Sequence, residues 1–394
     1  MPGRKSTFFL VLATSLTFFL VVSWTLSGPR SDATFQKHAD SSTAHQNDTI
    51  SSAHLKPHSN PTPSPVKTPY AIGTFVGTDT YGTEDAGDDE DRYYVGARTL
   101  VYQLLHAPST KLTSPVSIVI LVTKGVRESK RKRLRDDGAT VIEVEDVPHN
   151  ITVGQPRWAE TFAKVRLFDP KIMPYRKVLL MDTDMVITRP IDAIFEDPSS
   201  EPMNSRKNQT NRADLPLATL PEKFAIAAAP ESLDRDHPYP FVDHDHTKGY
   251  FNSGLVLYTP STELFQHYLE IIARPDLFYN GFPDQDLLNY AHRWQGPMPW
   301  RRLHFSWYLN WPNQDDIDGG MAIIHSKFWE PDLPFGPGER LALSRRWEMQ
   351  GYWMGKGGSR LFNDLVKLVL LLVYTPSLLM FLMVIPQVPY AYSV

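Results

Sequence analysis

Between residues 70 and 345, short apolar runs alternate with stretches of helical periodicity. The run 71–77 (AIGTFVG) reads as a strand, and a helix follows over 93–106. Residues 117–123 (SIVILVT) form a continuous β-branched run, the mark of a strand buried on both faces. The basic segment 127–135 predicts an exposed helix, 140–144 a third strand and 159–168 another helix. The fourth strand, 177–181 (KVLLM), runs directly into a carboxylate. Further strands are expected at 224–229 and 254–258, with helices over 261–273 and 284–293. Strands alternating with helices predict an α/β domain with a mostly parallel sheet covered on both faces. In such sheets ligands bind beyond the carboxyl ends of the strands, so the residues just after each strand are the ones to inspect.

Two apolar runs lie outside this alternation. Residues 8–26 carry no charge and follow Arg4 and Lys5. At about 1.5 Å per helical residue, such a run is long enough for a hydrocarbon core of about 30 Å. It is longer than a cleavable signal core, and no A-x-A site follows. It therefore predicts a retained signal anchor over residues 1–26, with Arg4 and Lys5 cytosolic and the remainder in the lumen of the Golgi or endoplasmic reticulum. Residues 27–69, rich in Ser, Thr and Pro, hold too few large apolar side chains to build a core and predict a disordered stem. The second run, 365–385, has Lys367 as its one charge and Pro376 in its middle; it predicts a second span, joined to the catalytic domain (70–345) by a linker over 346–364. Asn47, Asn150 and Asn208 each begin an N-x-T glycosylation acceptor, which agrees with a luminal domain.

Composition narrows the chemistry. A formal net charge of −4 over 394 residues gives no polyelectrolyte signature, which argues against nucleic acid as a partner. The chain has no cysteine, so disulfides, thiolate metal sites and cysteine nucleophiles are excluded together. What remains is oxygen and nitrogen chemistry. The fourth strand delivers Asp182 and Asp184 at i, i+2, framed by apolar residues in LLMDTDMVI. Two neighbouring carboxylates in an apolar frame call for a cation, and Mn²⁺ or Mg²⁺ takes oxygen ligands and shares its shell with phosphates. The bland alternative is a solvated acidic turn, which the flanking apolar runs oppose. A second group, His237, Asp243, His244, Asp245 and His246, has metal-binding side chains but reads as a solvated loop.

Longer motifs extend the reading. VLLMDTDMVITRPIDAIFE resembles the metal-binding segment of glycosyltransferase family 8, the glycogenin-like retaining enzymes of GT-A fold. AIGTFVGTDTY resembles that family's first strand and nucleotide-binding turn, FNSGLVLY its donor-sugar segment, PDQDLLN its D-Q-x-x-L-N segment, and IIHSKFWEP its metal-site histidine segment. The resemblance implies a GT-A-type nucleotide-diphosphosugar transferase. Asp182, Asp184 and His325 would ligate the metal. Asn252, Gly254, Asp284 and Gln285 would surround the donor sugar, and Thr78, Asp79 and Tyr81 would touch the nucleoside. Lys164 and Lys327 would meet donor phosphate, although Lys327 lies closer to its histidine than in the glycogenin pattern.

The function so implied is metal-dependent transfer of a hexose from a UDP-sugar to a glycan, glycoprotein or glycolipid acceptor. Two alternatives share the residues: a hydrolase or pyrophosphorylase acting on the sugar nucleotide, and a catalytically silent binding protein. Single residues also have structural readings. His325 could be a hydrogen-bonded core residue, Asp284 a helix N-cap, and Trp307, Tyr308 and Trp311 either core residues or platforms for an acceptor sugar. Gly355, Gly357 and Gly358 follow no strand and read as linker, not as a phosphate loop.

Overall fold

The structure, a computed structural model, describes residues 68–78, 91–155, 158, 160–207, 220–232, 234–241, 249–327 and 336–383, with the backbone alone for 359–364 and 368–383. The chain divides into two units, Met1–Thr62 and Pro63–Val394, and all described residues belong to the second. The expected anchor at 8–26 and almost all of the stem lie outside the described residues.

The strands are β1 (Tyr70–Val76), β2 (Ser117–Val122), β3 (Thr140–Glu143), β4 (Lys177–Met181), β5 (Met185–Ile187), β6 (Met203–Asn204), β7 (Lys223–Phe224), β8 (Ile226–Pro230), β9 (Phe251–Tyr258), β10 (Arg301–Arg302), β11 (Tyr308–Asn310) and β12 (Ile323–His325). The α-helices are α1 (Arg92–Leu105), α2 (Glu128–Asp137), α3 (Thr262–Ile272), α4 (Pro283–Ala291), α5 (Gln314–Asp318) and α6 (Pro337–Met383).

Seven strands form the main sheet in the order β10-β8-β9-β4-β1-β2-β3. All run the same way except β9, which is antiparallel to both β4 and β8. The sheet is therefore mixed, and the reversal has a consequence for the site. A reversed strand begins at the edge where its neighbours end, so Asn252, Ser253 and Gly254 lie beside the exit of β4. The Asp182 N–H donates to the Gly254 carbonyl at 2.8 Å. This strand starts three residues earlier than the sequence pattern indicated. Asn252 and Ser253 are polar yet buried, because Glu231 after β8 accepts from the Asn252 amide and Gln285 at the start of α4 accepts from the Ser253 N–H.

Alternation along β4 sends side chains to opposite faces. Val178 and Leu180 pack with α3, α4 and the 3₁₀ helix Thr161–Phe168, while Leu179 and Met181 pack with α1. The next residue in phase with Leu180 is Asp182, which thereby faces that 3₁₀ helix. The segment was expected as a helix and is of the 3₁₀ type, in which residues i and i+3 eclipse; Thr161 and Lys164 both line the cavity described below.

A small second sheet, β11-β12-β5, was not foreseen because its strands have three residues each. Its register pairs His325 with Met185, directly after Asp184. Residues 346–364, expected as a linker, lie within the single helix α6 of 47 residues. Good helix formers surround the glycines, whose cost of about 1 kcal/mol each is not enough to break it. Met349 is buried and Tyr352 and Trp353 pack on His106 of the α1 end, after which residues 354–358 are exposed. Among the described residues no helix is long and apolar enough to cross a membrane; of the expected span at 365–385, the side chains of 368–385 fall outside them.

Candidate functional site

A cavity of about 770 Å³ opens where β1 and β4 end. Asp182 and Asp184 leave β4 and enter β5, and β12 brings in His325 by the pairing just described. One ligand atom from each of the three lies within 4.8 Å of the others, and among the described residues this is the one such group of metal-binding side chains. His325 Nε2 is 3.0 Å from Asp184 Oδ1. Gly254 makes the approach possible: a Cβ there would stand 2.9 Å from His325 Cε1 and 2.7 Å from Asn252 Oδ1.

Two lysines flank the carboxylates. Lys164 Nζ donates to Asp182 Oδ1 at 2.6 Å and to Asp284 Oδ2 at 2.8 Å, and Lys327 Nζ lies 3.6 Å from Asp184 Oδ2. Burial alone would lower the Lys164 pKa, but Asp182 and Asp284 raise it above the ordinary lysine range. Burial raises Asp182, and Asp184 and Asp284 add to this against the pull of Lys164 and His325. Asp184 goes the other way: burial would raise it, but His325 and Lys327 hold it well below the usual carboxylate range. A charge-dense site of two carboxylates and an imidazole fits a divalent cation. Oxygen ligands suit Mg²⁺ or Mn²⁺, and the imidazole favours Mn²⁺.

The remaining expected residues divide. Asp284 and Gln285, at the start of α4, reach the cavity. Asp284 is not the N-cap, a position held by Phe282; its side chain goes to Lys164 and to the Ser253 hydroxyl at 3.1 Å. Gln285 accepts from the Ser253 N–H at 2.9 Å and donates to Glu231 at 3.0 Å. Asn252 also donates to Glu231, at 2.8 Å. Gly254 adjoins the cavity wall without lining it. Thr78 lines the cavity, but its N–H and hydroxyl are taken by Glu160 at 2.6 and 2.9 Å. Asp79 and Tyr81 lie outside the described residues.

Of the candidate sugar platforms, Trp311 lines the cavity. Tyr308 is 2% exposed, with its hydroxyl 2.8 Å from His325 Nδ1. Trp307 donates to Asp197 at 2.8 Å and is absent from the cavity wall. In the Asp/His loop, His237 pairs with buried Asp316 at 3.0 Å; 243–246 lie outside the described residues.

Two cavity residues went unread in the sequence. Glu160 closes the turns after β1 and β2, since Thr123 also donates to it at 2.7 Å. Glu231 follows β8 and gathers the amides of Asn252, Gln285 and Asn310; burial raises its pKa. The one available signal for Glu231 was its position after a strand, the criterion that drew attention to Asp182.

No protein-family model matches the chain. The chain is 32% identical over 286 residues to the uncharacterised protein C4C3.09 of Schizosaccharomyces pombe, a match covering 66% of this chain and 73% of that one. It is 30% identical over 268 residues to C5H10.12c of the same yeast, covering 61% and 70%. Galactinol synthase 2 of Arabidopsis thaliana is 26% identical over 189 residues, or 45% of this chain and 52% of its own length. Among solved structures, the apo WbbM bifunctional glycosyltransferase is similar with a TM-score of 0.41 at 15% identity, covering 72% of this chain and 52% of that one. The chain is glycosyltransferase-like.

Proposed function

The chain belongs to the same family as the two fission-yeast proteins C4C3.09 and C5H10.12c, and from the geometry of the site and the order of its motifs we propose that it is a metal-dependent glycosyltransferase with a UDP-sugar donor. The single observation that carries the proposal is the convergence of Asp182, Asp184 and His325 at the exit of β4 with Lys164 and Lys327 beside them. The motif order supports assignment to family 8, with a GT-A fold, hexose transfer and retention at the anomeric carbon. The three ligands would hold Mn²⁺, which supplies positive charge to a diphosphate leaving group. Lys164 and Lys327 add fixed cationic charge in a site partly closed to water, where such charge acts most strongly. Asp284 and Gln285 orient the transferred sugar from the start of α4.

We further propose that residues 8–26 anchor the protein in a Golgi or endoplasmic reticulum membrane with the catalytic domain luminal, and that the acceptor is a glycan, glycoprotein or glycolipid. Release of UDP from a panel of UDP-sugars, with and without membrane-lipid and glycoprotein fractions, tests the activity. Mn²⁺-dependent release stimulated by acceptor is the expected result. Release of equal amounts of free sugar without acceptor would mark a hydrolase, and no release from any donor would leave a binding protein.

A further inference from the structure

Tyr308 on β11 has its hydroxyl 2.6 Å from Asn252 Oδ1 and 2.8 Å from His325 Nδ1. A hydroxyl has one hydrogen to give, and the neighbours of Asn252 decide where it goes. Asn252 Nδ2 donates to Glu231 at 2.8 Å, and its Oδ1 accepts from the Gly254 N–H at 2.9 Å. Turned over, the amide would set its NH₂ against that N–H and its oxygen against the carboxylate, replacing two hydrogen bonds with two repulsions. Oδ1 therefore faces Tyr308 as an acceptor, and the tyrosine hydrogen is committed to it. The Tyr308 oxygen then faces His325 with lone pairs only, so the contact requires an N–H on His325 Nδ1.

We infer that Tyr308 is a positioning residue for the metal site, with Glu231 and Asn252 acting through it. It fixes the imidazole plane and keeps a proton on Nδ1, so that Nε2, the nitrogen beside Asp184, offers its lone pair to the cation. A neutral ring with its proton on Nε2 instead would set two lone pairs together across 2.8 Å and leave the cation no nitrogen ligand. With the proton on Nδ1, the Nε2 lone pair faces Asp184 Oδ1 at 3.0 Å, a repulsion that a cation between them relieves. The inference rests on the metal-site reading above and adds a chain of four residues, Glu231, Asn252, Tyr308 and His325, of which Glu231 and Tyr308 lie outside every motif quoted above. Outer partners of a ligating histidine change metal affinity by roughly 10–100-fold when removed.

The test uses full-length protein titrated with Mn²⁺ in the presence of UDP, with free Mn²⁺ read by electron paramagnetic resonance. The variants are Tyr308→Phe, His325→Ala and, as a control, Tyr268→Phe, which deletes another buried hydroxyl bonded to a histidine, at 2.6 Å from His292, away from the cavity. Thermal melting of the metal-free proteins runs alongside. Tyr308→Phe should weaken Mn²⁺ binding by roughly 10–100-fold, while Tyr268→Phe lowers the melting temperature and leaves Mn²⁺ affinity unchanged. If His325→Ala weakens binding and Tyr308→Phe stays within about threefold of wild type, far from the expected range, the inference is overturned and the metal site stands. If His325→Ala binds Mn²⁺ as wild type does, the metal-site reading itself falls, and the inference with it. Should Tyr308→Phe fail to fold, ¹⁵N-histidine spectra of the wild type with Mg²⁺ and UDP decide: a proton on His325 Nδ1 supports the assignment, and one on Nε2 refutes it.

Discussion

Asp182 and Asp184 differ in their company although they are two residues apart. Asp182 shares Lys164 with Asp284, and Asp184 sits between His325 and Lys327. Asp182→Asn and Asp184→Asn should each reduce Mn²⁺-dependent UDP release below a tenth of wild type, at about 1.4 kcal/mol of barrier per tenfold. Turnover above that level in either variant would sink direct ligation. Lys164 has the opposite duty, since it neutralises two carboxylates when no metal is bound. Removing one partner of such a buried group costs about 3–5 kcal/mol. Lys164→Met should therefore melt well below wild type without metal, and Mn²⁺ should restore more of the loss than it adds to wild type. Equal Mn²⁺ shifts in both proteins would contradict this. At this scale the sequence showed ligand types but not pairings. Asp284 and Lys164 are 120 positions apart, and nothing local to either marks their contact.

Helix α1 and strand β5 are joined by a side chain acting as a strand edge. Gln103, fully buried, donates to the Met185 carbonyl at 3.0 Å and accepts from the Ile187 N–H at 2.8 Å. An apolar replacement orphans both backbone groups, each worth about 1–3 kcal/mol when buried. Gln103→Leu is thus expected to lower urea stability by about 2–6 kcal/mol and to weaken Mn²⁺ binding, because β5 begins directly after Asp184. An unchanged urea midpoint would refute that role. On the other face, burial and Arg293 push His267 of α3 down to about 4, and burial likewise holds His292, after α4, at about 3. Below an ordinary imidazole pKa of about 6.5, the unfolded chain takes up protons that the folded one refuses. Stability from this source is full above that value and is lost as pH falls toward 4. Urea midpoints should drop between about pH 7.5 and about pH 5, and less so in His267→Gln. Equal drops in both proteins would acquit His267. Element types were legible here from periodicity, whereas the three-residue β5 and β12 were too short to carry a period.

For the whole molecule, the proposed attachment rests on two apolar runs of the sequence, 8–26 and 365–385, each of a length that suits a hydrocarbon core. Tags on both ends followed by protease digestion of sealed microsomes should find both accessible from the cytosol, with the domain between them protected. A protected C-terminal tag would instead leave the end of α6 on the luminal side. The amino-acid sequence by itself determined the alternation of elements, the exit of two carboxylates from a buried strand and the order of the motifs, because each is a local property of a few consecutive residues. Tertiary structure alone decided the reversal of β9, the closure of His325 onto Asp184 and the amide cluster around Glu231. Those depend on hydrogen bonds and close contacts between segments far apart in the chain, such as His325 against Gly254, which no local pattern encodes.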